Sequence, residues 1–446
     1  MVSRNTNLRL VAVLAWLGAA PLAAQAPATT SVRLSFADAV RRAGGEATAV
    51  ELATLRTNEA DARVREARSA LLPSLSAGGL WLNRSFSSAS LGLSIPGFSL
   101  PPVIGPFNNY DGRLTVTQTL FDWSSLTRVR AAAAQADGSR AERGVSVEGA
   151  VQATALGYLR AVRAQAVVAA RQADSSIAAE LVTLAEAQKA AGVSASIDVT
   201  RARTQLVRAE GLLIVARNQV DRARIDLART LALDPATSLQ LTDTLAGTLG
   251  AADVPAQRDA VVSAALTNRP DLSAELARGA AAQRTSAAIR AERLPKLGVE
   301  ADYGVNGLTV PGAVSTRQVA LAVTVPILDG FRREARVSEQ DAVLRESQVR
   351  ARDLRQQITA DVDAALLDRA SAQAQQVVAA EQLRLAEDEL SQARQRFKAG
   401  VAGNIEVIDA QSNLVRARDT DIDARFAAAT ARVALARAAG VARRLH

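Results

Sequence analysis

The chain has 446 residues, and its 53 lysine and arginine residues outnumber 45 aspartate and glutamate residues to give a net charge of +8. It contains no cysteine and one histidine, the last residue, which argues against disulfides, thiolate chemistry, imidazole catalysis and histidine-ligated metals. Although 48% of the residues are hydrophobic, only 3% are aromatic, and this composition favours thin alanine-rich helix pairs over large globular cores. We therefore expect no metal and no cofactor.

Arginine supplies almost all of the positive charge, because the only lysines are Lys189, Lys296 and Lys398. A nucleic-acid-binding protein gathers its basic residues on one face, often together with aromatic residues. Here the arginines are spread along the helical segments and mixed with acids. The pattern is typical of solvated helix faces, and we predict no nucleic-acid partner.

Residues 1–24 are predicted to be a secretory signal peptide. Arg4 and Arg9 precede an apolar run from Leu10 to Ala20, which is too short to span a bilayer as a helix. Small residues follow this run, and we place the cleavage after Ala24. The mature chain is therefore expected to be exported.

An internal repeat organises the rest of the sequence. The segment 187–209 matches 395–417, with Gly192 opposite Gly400. Shorter matches occur upstream in the same order: 114–122 with 321–329, 71–75 with 293–297, and 37–43 with 258–264. We predict a first repeat at 30–240, a connection at 241–256 and a second repeat at 257–441.

Each repeat is predicted to contain a helix, two strands and two long helices. Apolar residues alternate with polar ones in four segments, which predicts strands at 75–83, 114–120, 297–306 and 318–325. The first repeat holds about fifteen extra residues, which we place in a Ser/Gly/Pro-rich loop at 85–109. Alternating strands with nearby aromatic residues in an exported chain favour an outer-membrane barrel over soluble hairpins.

The long helices are predicted from their length and heptad spacing. One helical pattern runs from about Trp123 to Ala191, which corresponds to roughly 100 Å at the usual rise per residue. Coiled-coil seams run through 379–397 and 408–436. Four strands cannot close a barrel, and unpaired strand edges are prohibitively costly in lipid, so we expect several copies to share strands and helices.

The turns between the long helices are predicted at Gly192 and Gly400, where glycine allows a left-handed backbone. Ser196 and Asn404 are the predicted N-caps of the returning helices.

These motifs, doubled and in this order, resemble the outer-membrane efflux proteins of the TolC type over essentially the whole mature chain. The resemblance rests on the duplication, the LPxL segments before the strands, the strand ends at Asp122 and Asp329, the two A-G-V turns with their I-[DE]-V sequels, and Leu233-Asp234-Pro235. It implies a mainly α fold with β strands. Long coiled-coil hairpins would form a periplasmic α-barrel, and four strands per chain would enter a trimeric twelve-stranded transmembrane β-barrel.

The resemblance also implies a function and partners. The chain would be a homotrimer in outer-membrane lipid, extending into the periplasm, and would serve as the passive exit duct of a tripartite efflux or type I secretion system. A periplasmic adaptor protein would open it, and an inner-membrane transporter of the RND, ABC or MFS type would power it. The alternative is a periplasmic coiled-coil adaptor, although adaptors have no duplicated pair of amphipathic strands. An enzyme is not expected, because no GxSxG or HExxH motif is present.

Glu406 and Asp409 lie three positions apart on one helical face, at the positions of the acidic pair that narrows the tunnel in this family. Six such carboxylates around one axis would favour cations. Without the resemblance, the simpler interpretation is that acids in a first helical turn complement the helix dipole.

Asp198 matches the gate aspartate of the family, which pairs with a tyrosine and an arginine of the second hairpin. Here those positions hold Phe397 and Ala402, and neither can make the bond. The closed state must therefore be held differently, and packing of Phe397 is our hypothesis. Asp198 is equally well explained as a first-turn acid.

Two glycine–valine pairs match the turns at which adaptor hairpins dock in the family: Gly192 with Val193, and Gly400 with Val401. Each glycine is also explained as the residue that ends a helix. Both interpretations can hold together, because the glycine shapes the turn and the valine offers an apolar contact.

Overall fold

The computed structural model describes residues 31–92, 101–234, 236–245 and 249–445. The predicted signal peptide, Pro235 and His446 lie outside these residues.

The described residues form a mainly helical fold in which the same order of elements occurs twice. The strands are β1 (Ser31–Leu34), β2 (Ser74–Ser87), β3 (Val103–Asp122), β4 (Ser238–Leu241), β5 (Lys296–Gly307) and β6 (Val314–Thr324). The α-helices are α1 (Phe36–Glu46), α2 (Thr48–Ser69), α3 (Trp123–Ala190), α4 (Ser196–Thr230), α5 (Arg258–Asn268), α6 (Pro270–Ala291), α7 (Arg332–Lys398) and α8 (Asn404–Ala438). None of these helices is both long enough and apolar enough to cross a membrane.

Four strands form one antiparallel sheet in the order β2-β3-β5-β6. The four predicted strands are confirmed, but the predicted loop at 85–109 is wrong in extent. β2 continues to Ser87 and β3 begins at Val103, with Phe86 opposite Ile104 in the ladder. The serine and glycine content suggested a loop, whereas backbone pairing continues along the hairpin through an irregularity between Arg84 and Phe86.

The two faces of this sheet differ in polarity. Leu114 lies opposite Tyr303 and Val116 opposite Ala301, so the apolar residues of neighbouring strands share one face. That face is exposed and carries Trp81, Leu114, Val116, Tyr303, Val305, Val319, Leu321 and Val323. On the other face, Arg113 is paired with Asp302 at 2.9 Å. The predicted alternation is confirmed.

The long helices are also confirmed. α3 has 68 residues, so it is about 100 Å long. It begins where β3 ends, and the side chain of Asp122 accepts hydrogen bonds from Ser124 N at 2.9 Å and Ser125 Oγ at 2.7 Å. α3 and α4 form the first hairpin, and α7 and α8 form the second.

The middle of α3 is packed against β1, α1 and β4 in a buried apolar cluster. Tyr158 is buried there with its ring 5.6 Å from that of Phe36 in an edge-to-face arrangement. Its hydroxyl donates to the Leu34 carbonyl at 2.9 Å and contacts Asp243 Oδ2 at 2.6 Å. The Phe36 amide donates to the same Asp243 oxygen at 2.7 Å. These bonds fix the parallel pair β1–β4 against the helices.

The predicted seam of α7 is confirmed by burial. Its buried members are Ala379, Ala386, Leu390, Ala393 and Phe397. Alanine at these positions lets the two helices of the hairpin approach closely, as in coiled coils.

Candidate functional site

The tips of the two hairpins are tight turns built on glycine. Gly192 has φ 75° and Gly400 has φ 72°, so the predicted left-handed turns are confirmed. The turn of one hairpin lies against the other, since a Cβ placed on Gly400 would be 3.8 Å from Val193 Cγ1. The tips of one chain therefore form a single site.

The predicted N-caps are wrong. Ser196 and Asn404 are the first residues of their helices, and Ala195 and Gly403 occupy the cap positions without a side-chain bond. The side-chain Nδ2 of Asn404 instead donates to the backbone carbonyl of Asp198 in the other hairpin at 2.8 Å. A tertiary contact has thus replaced the local cap.

Apolar side chains project from both turns. Val193 is 65% exposed and Val401 is 69% exposed. Ile197 and Ile405 follow at equivalent positions in the next turn and are each 55% exposed. Each tip therefore presents the same small apolar surface.

Phe397 lies inside the contact between the hairpins and is only 3% exposed. It belongs to a buried cluster to which all four long helices contribute. The other members are Leu181, Ala185, Val199, Ala202, Ala386, Leu390, Ala393, Val407, Ala410, Leu414 and Ala417. The aromatic ring therefore packs the two hairpins together just before the turns.

Asp198 is half-buried, and its carboxylate stays within its own hairpin. Ser194 Oγ donates to Asp198 Oδ2 at 2.9 Å, and Arg201 Nη1 lies 3.8 Å from Oδ1. Only the backbone carbonyl of Asp198 receives the bond from the second hairpin. The side chain of this predicted gate residue thus shapes the turn, and its main chain joins the tips.

The two predicted ring acids lie at the start of α8. Glu406 Oε1 is 3.1 Å from Arg396 Nε, across the turn of the same hairpin. Asp409 is exposed one turn later on the same helical face.

Sequence reasoning missed two amide side chains that cross between the hairpins at their tips. Gln188 Nε2 donates to the Phe397 carbonyl at 2.7 Å, and Asn404 contributes the second bond. Their partners lie 209 and 206 positions away in the chain, and no spacing pattern marks such contacts.

A buried ionic network joins α3 to α8 farther from the tip. Arg171 Nη1 is 2.8 Å from Asp174 Oδ2 and also pairs with Asp419, and Arg418 Nη1 is 2.6 Å from Asp174 Oδ1. Burial alone would lower the pKa of Arg171, but its bonds to Asp419 and Asp174 outweigh burial and raise the pKa. Arg171 precedes the end of α3 by about 28 Å at the helical rise.

Together, the sheet with one exposed apolar face, the two helices of about 100 Å and the joined tips define a class of protein: a channel-forming membrane protein with long helical extensions. The chain belongs to the outer membrane efflux protein family, whose model matches residues 40–233 and 261–441.

Individual relatives agree with this assignment. CyaE of Bordetella pertussis is 26% identical over 333 residues, which cover 73% of this chain and 70% of that protein. The pyoverdine export outer membrane protein OpmQ of Pseudomonas putida is 26% identical over 345 residues, covering 74% and 70%. The crystal structure of the outer membrane protein VceC from Vibrio cholerae has the same fold, with a TM-score of 0.74 and 18% identity over 91% of this chain and 96% of that one.

Membership in this family gives the function. The chain is an outer-membrane exit duct of an efflux or secretion system and extends into the periplasm. It works with adaptor proteins and inner-membrane transporters, and it is a channel protein rather than an enzyme. The alternative of a periplasmic adaptor is therefore set aside.

Proposed function

We propose that three copies of the chain assemble into one duct. Within one chain, α3 lies between α4 and α8, and α8 packs against α7. This order leaves α4 and α7 at the two sides of the chain, and each has large apolar residues that are exposed. On α4 they include Val207, Ile214 and Val215, and on α7 they include Leu367, Val377 and Val378. The α4 of one copy and the α7 of the next would cover these residues.

The sheet supports the same assembly. β2 and β6 are its edge strands, and each has a neighbour on one side only. Because unpaired strand edges are costly in lipid, β2 of one copy would pair with β6 of the next. Three copies would close a twelve-stranded barrel whose apolar face contacts outer-membrane lipid. The two runs of the same elements correspond to the repeats at 30–240 and 257–441, joined at 241–256, which we attribute to an internal duplication.

The hairpin tips would be the periplasmic gate of this assembly. The gate residues are Asp198 and Phe397, and the exposed turns with Val193 and Val401 form the adaptor-docking surface. Glu406 and Asp409 of three copies would form an acidic ring around the tunnel axis. The duct is passive, and an inner-membrane transporter of the RND, ABC or MFS type supplies the energy.

The apolar exposed faces of α4 and α7 carry this proposal, and the mass of the purified protein tests it. Light scattering in detergent, corrected for bound detergent, should give three chains for protein extracted from the outer membrane. Val377→Glu should weaken the trimer, because it places a charge on the exposed apolar face. Gln375→Glu, on the same helix and one turn before the buried Ala379, should leave it intact. A lipid-free monomer with ordered hairpins in water would contradict the proposal.

A further inference from the structure

Two hydrogen bonds join the hairpin tips in a reciprocal way. Gln188, at the end of α3, donates to the Phe397 carbonyl at the end of α7 at 2.7 Å. Asn404, at the start of α8, donates to the Asp198 carbonyl at the start of α4 at 2.8 Å. One bond thus connects the two helices that enter the turns, and the other connects the two helices that leave them.

We propose that Gln188 and Asn404 are the positioning residues that hold the hairpin tips of one chain in the closed arrangement. Phe397 and Ala402 have no side-chain donor that could do so. The proposal rests on the proposed function of the tips as a gate. In the closed state, the side-chain amides of Gln188 and Asn404 supply the hydrogen bonds between the tips, and Phe397 supplies the apolar packing.

The bond between Gln188 and the Phe397 carbonyl can break without leaving a buried polar group unsatisfied. The Phe397 carbonyl also accepts the Gly400 amide at 3.1 Å within its own turn. A carbonyl oxygen has two lone pairs, so it keeps a partner when Gln188 leaves. The half-buried Gln188 amide reaches water readily, so opening leaves neither group of this bond unsatisfied.

The two amides differ in their surroundings. Asn404 is 1% exposed, and its Oδ1 has no hydrogen-bond partner among the described residues. A buried acceptor without a donor opposes the closed arrangement, while the bond from Nδ2 favours it. Opening would hydrate this oxygen. Gln188 should therefore favour closure more strongly than Asn404 does.

The expected size of the effect follows from one neutral hydrogen bond. Losing such a bond changes an equilibrium by about fivefold. If three chains open together, the loss of Gln188 donors should raise the open-to-closed ratio on the order of a hundredfold. Because both bonds are uncharged, high salt should leave them intact. Salt should weaken only the partly exposed ion pair that also joins α3 to α7, between Glu180 and Arg394 at 3.4 Å.

Single-channel recording in planar bilayers tests the proposal with neutral variants of similar size. Gln188→Met should raise the open probability strongly, and Asn404→Leu should raise it less. Asn413→Leu is the matched control, because Asn413 Nδ2 donates to Glu389 Oε1 at 3.0 Å within the second hairpin. Equal open probabilities in Gln188→Met, Asn413→Leu and the parent would overturn the proposal.

A distance between the tips provides a readout that does not depend on conduction. Ala191 and Ala399 are exposed and flank the two turns, and the parent chain has no cysteine. Spin labels on Ala191→Cys and Ala399→Cys should move apart when Gln188→Met is added, and stay in place with Asn413→Leu. Absence of current in every variant would count against the duct, whereas unchanged label distances would count against the amide contacts.

Discussion

Arg396 and Glu406 are ion-paired across the turn of the second hairpin, with Nε and Oε1 separated by 3.1 Å. Arg396 belongs to the last turn of α7 and Glu406 to the first turn of α8. Each acid of the proposed ring at this position therefore has a positive charge beside it in the same chain. Both side chains are half exposed, so water screens the pair and leaves part of the negative field in the tunnel.

Charge substitutions at this pair should change ion selectivity in opposite directions. Arg396→Gln should increase the preference for cations, because Glu406 loses its counter-charge, and Glu406→Gln with Asp409→Asn should decrease it. The reversal potential in a potassium chloride gradient measures both effects. Arg384→Gln is the control, since Arg384 pairs with Glu381 and Asp388 on its own helix. Equal reversal potentials in all variants would show that Glu406 and Asp409 do not line the tunnel.

Truncation of Phe397 should loosen the closed tips. The ring is buried among residues of all four long helices, and a buried phenylalanine truncated to alanine typically loses about 3–5 kcal/mol of packing. Phe397→Ala should therefore raise the open probability, and Phe397→Leu should raise it less. Asp198→Ala should have a smaller effect than Phe397→Ala, because the Asp198 carboxylate bonds within its own hairpin. The same bilayer recordings would contradict this order if Asp198→Ala opened the channel more.

A charge on the apolar face of the sheet should prevent membrane assembly. Leu321 is 67% exposed and lies opposite Val299, whereas the neighbouring Ala320 lies opposite Glu300 on the polar face. Arginine on the lipid side of a membrane strand costs about 2–4 kcal/mol near the middle of the bilayer. Leu321→Arg should reduce the amount of protein in the outer-membrane fraction, and Ala320→Arg should reduce it far less. Similar losses in both variants would show that this face does not contact lipid.

Acid should weaken the ion pair between Arg269 and Asp271 at the start of α6. Arg269 Nη2 is 2.6 Å from Asp271 Oδ2, and Nη1 is 2.7 Å from Asp361 Oδ2. Burial opposes ionisation of Asp271, but its bonds to Arg269 outweigh burial and lower the pKa below the usual 3.8. This stabilisation is therefore complete above 3.8 and is lost as the pH falls through the lowered pKa.

The Asp271→Asn variant tests this link. The substituted amide side chain carries no charge, so the variant should be less stable near neutral pH by on the order of 1 kcal/mol. It should also lose less stability than the parent on acidification. Thermal unfolding followed by circular dichroism at several pH values measures both effects. Parallel losses in the parent and the variant would contradict the assignment.

The sequence predicted the features that depend on local periodicity. Alternation at 297–306 and 318–325 located β5 and β6 to within a few residues, because apolar residues recur at every second position of β5 and of the second half of β6. The end of α3 was also predictable, since Gly192 adopts a left-handed backbone. Composition misled at 85–109, where pairing between β2 and β3 outweighs the loop-like content of serine and glycine.

The site itself was only partly predictable. Phe397 could be recognised from the heptad seam, but its carbonyl, rather than its ring, accepts the bond from Gln188. Asn404 follows the cap pattern by composition, yet its amide reaches the other hairpin instead of its own helix. Such contacts depend on how two hairpins dock, and the spacing within either hairpin carries no information about that.

The pairing of β1 with β4 has a consequence for biogenesis. Phe36 and Asp243 are bonded although they lie 207 positions apart, and the parallel strands beside them close a loop of the same size. Contacts that close such large loops form late, because the entropy of the intervening chain must be lost first. β1 therefore stays unpaired until the whole first hairpin and the following segment with β4 have been translocated.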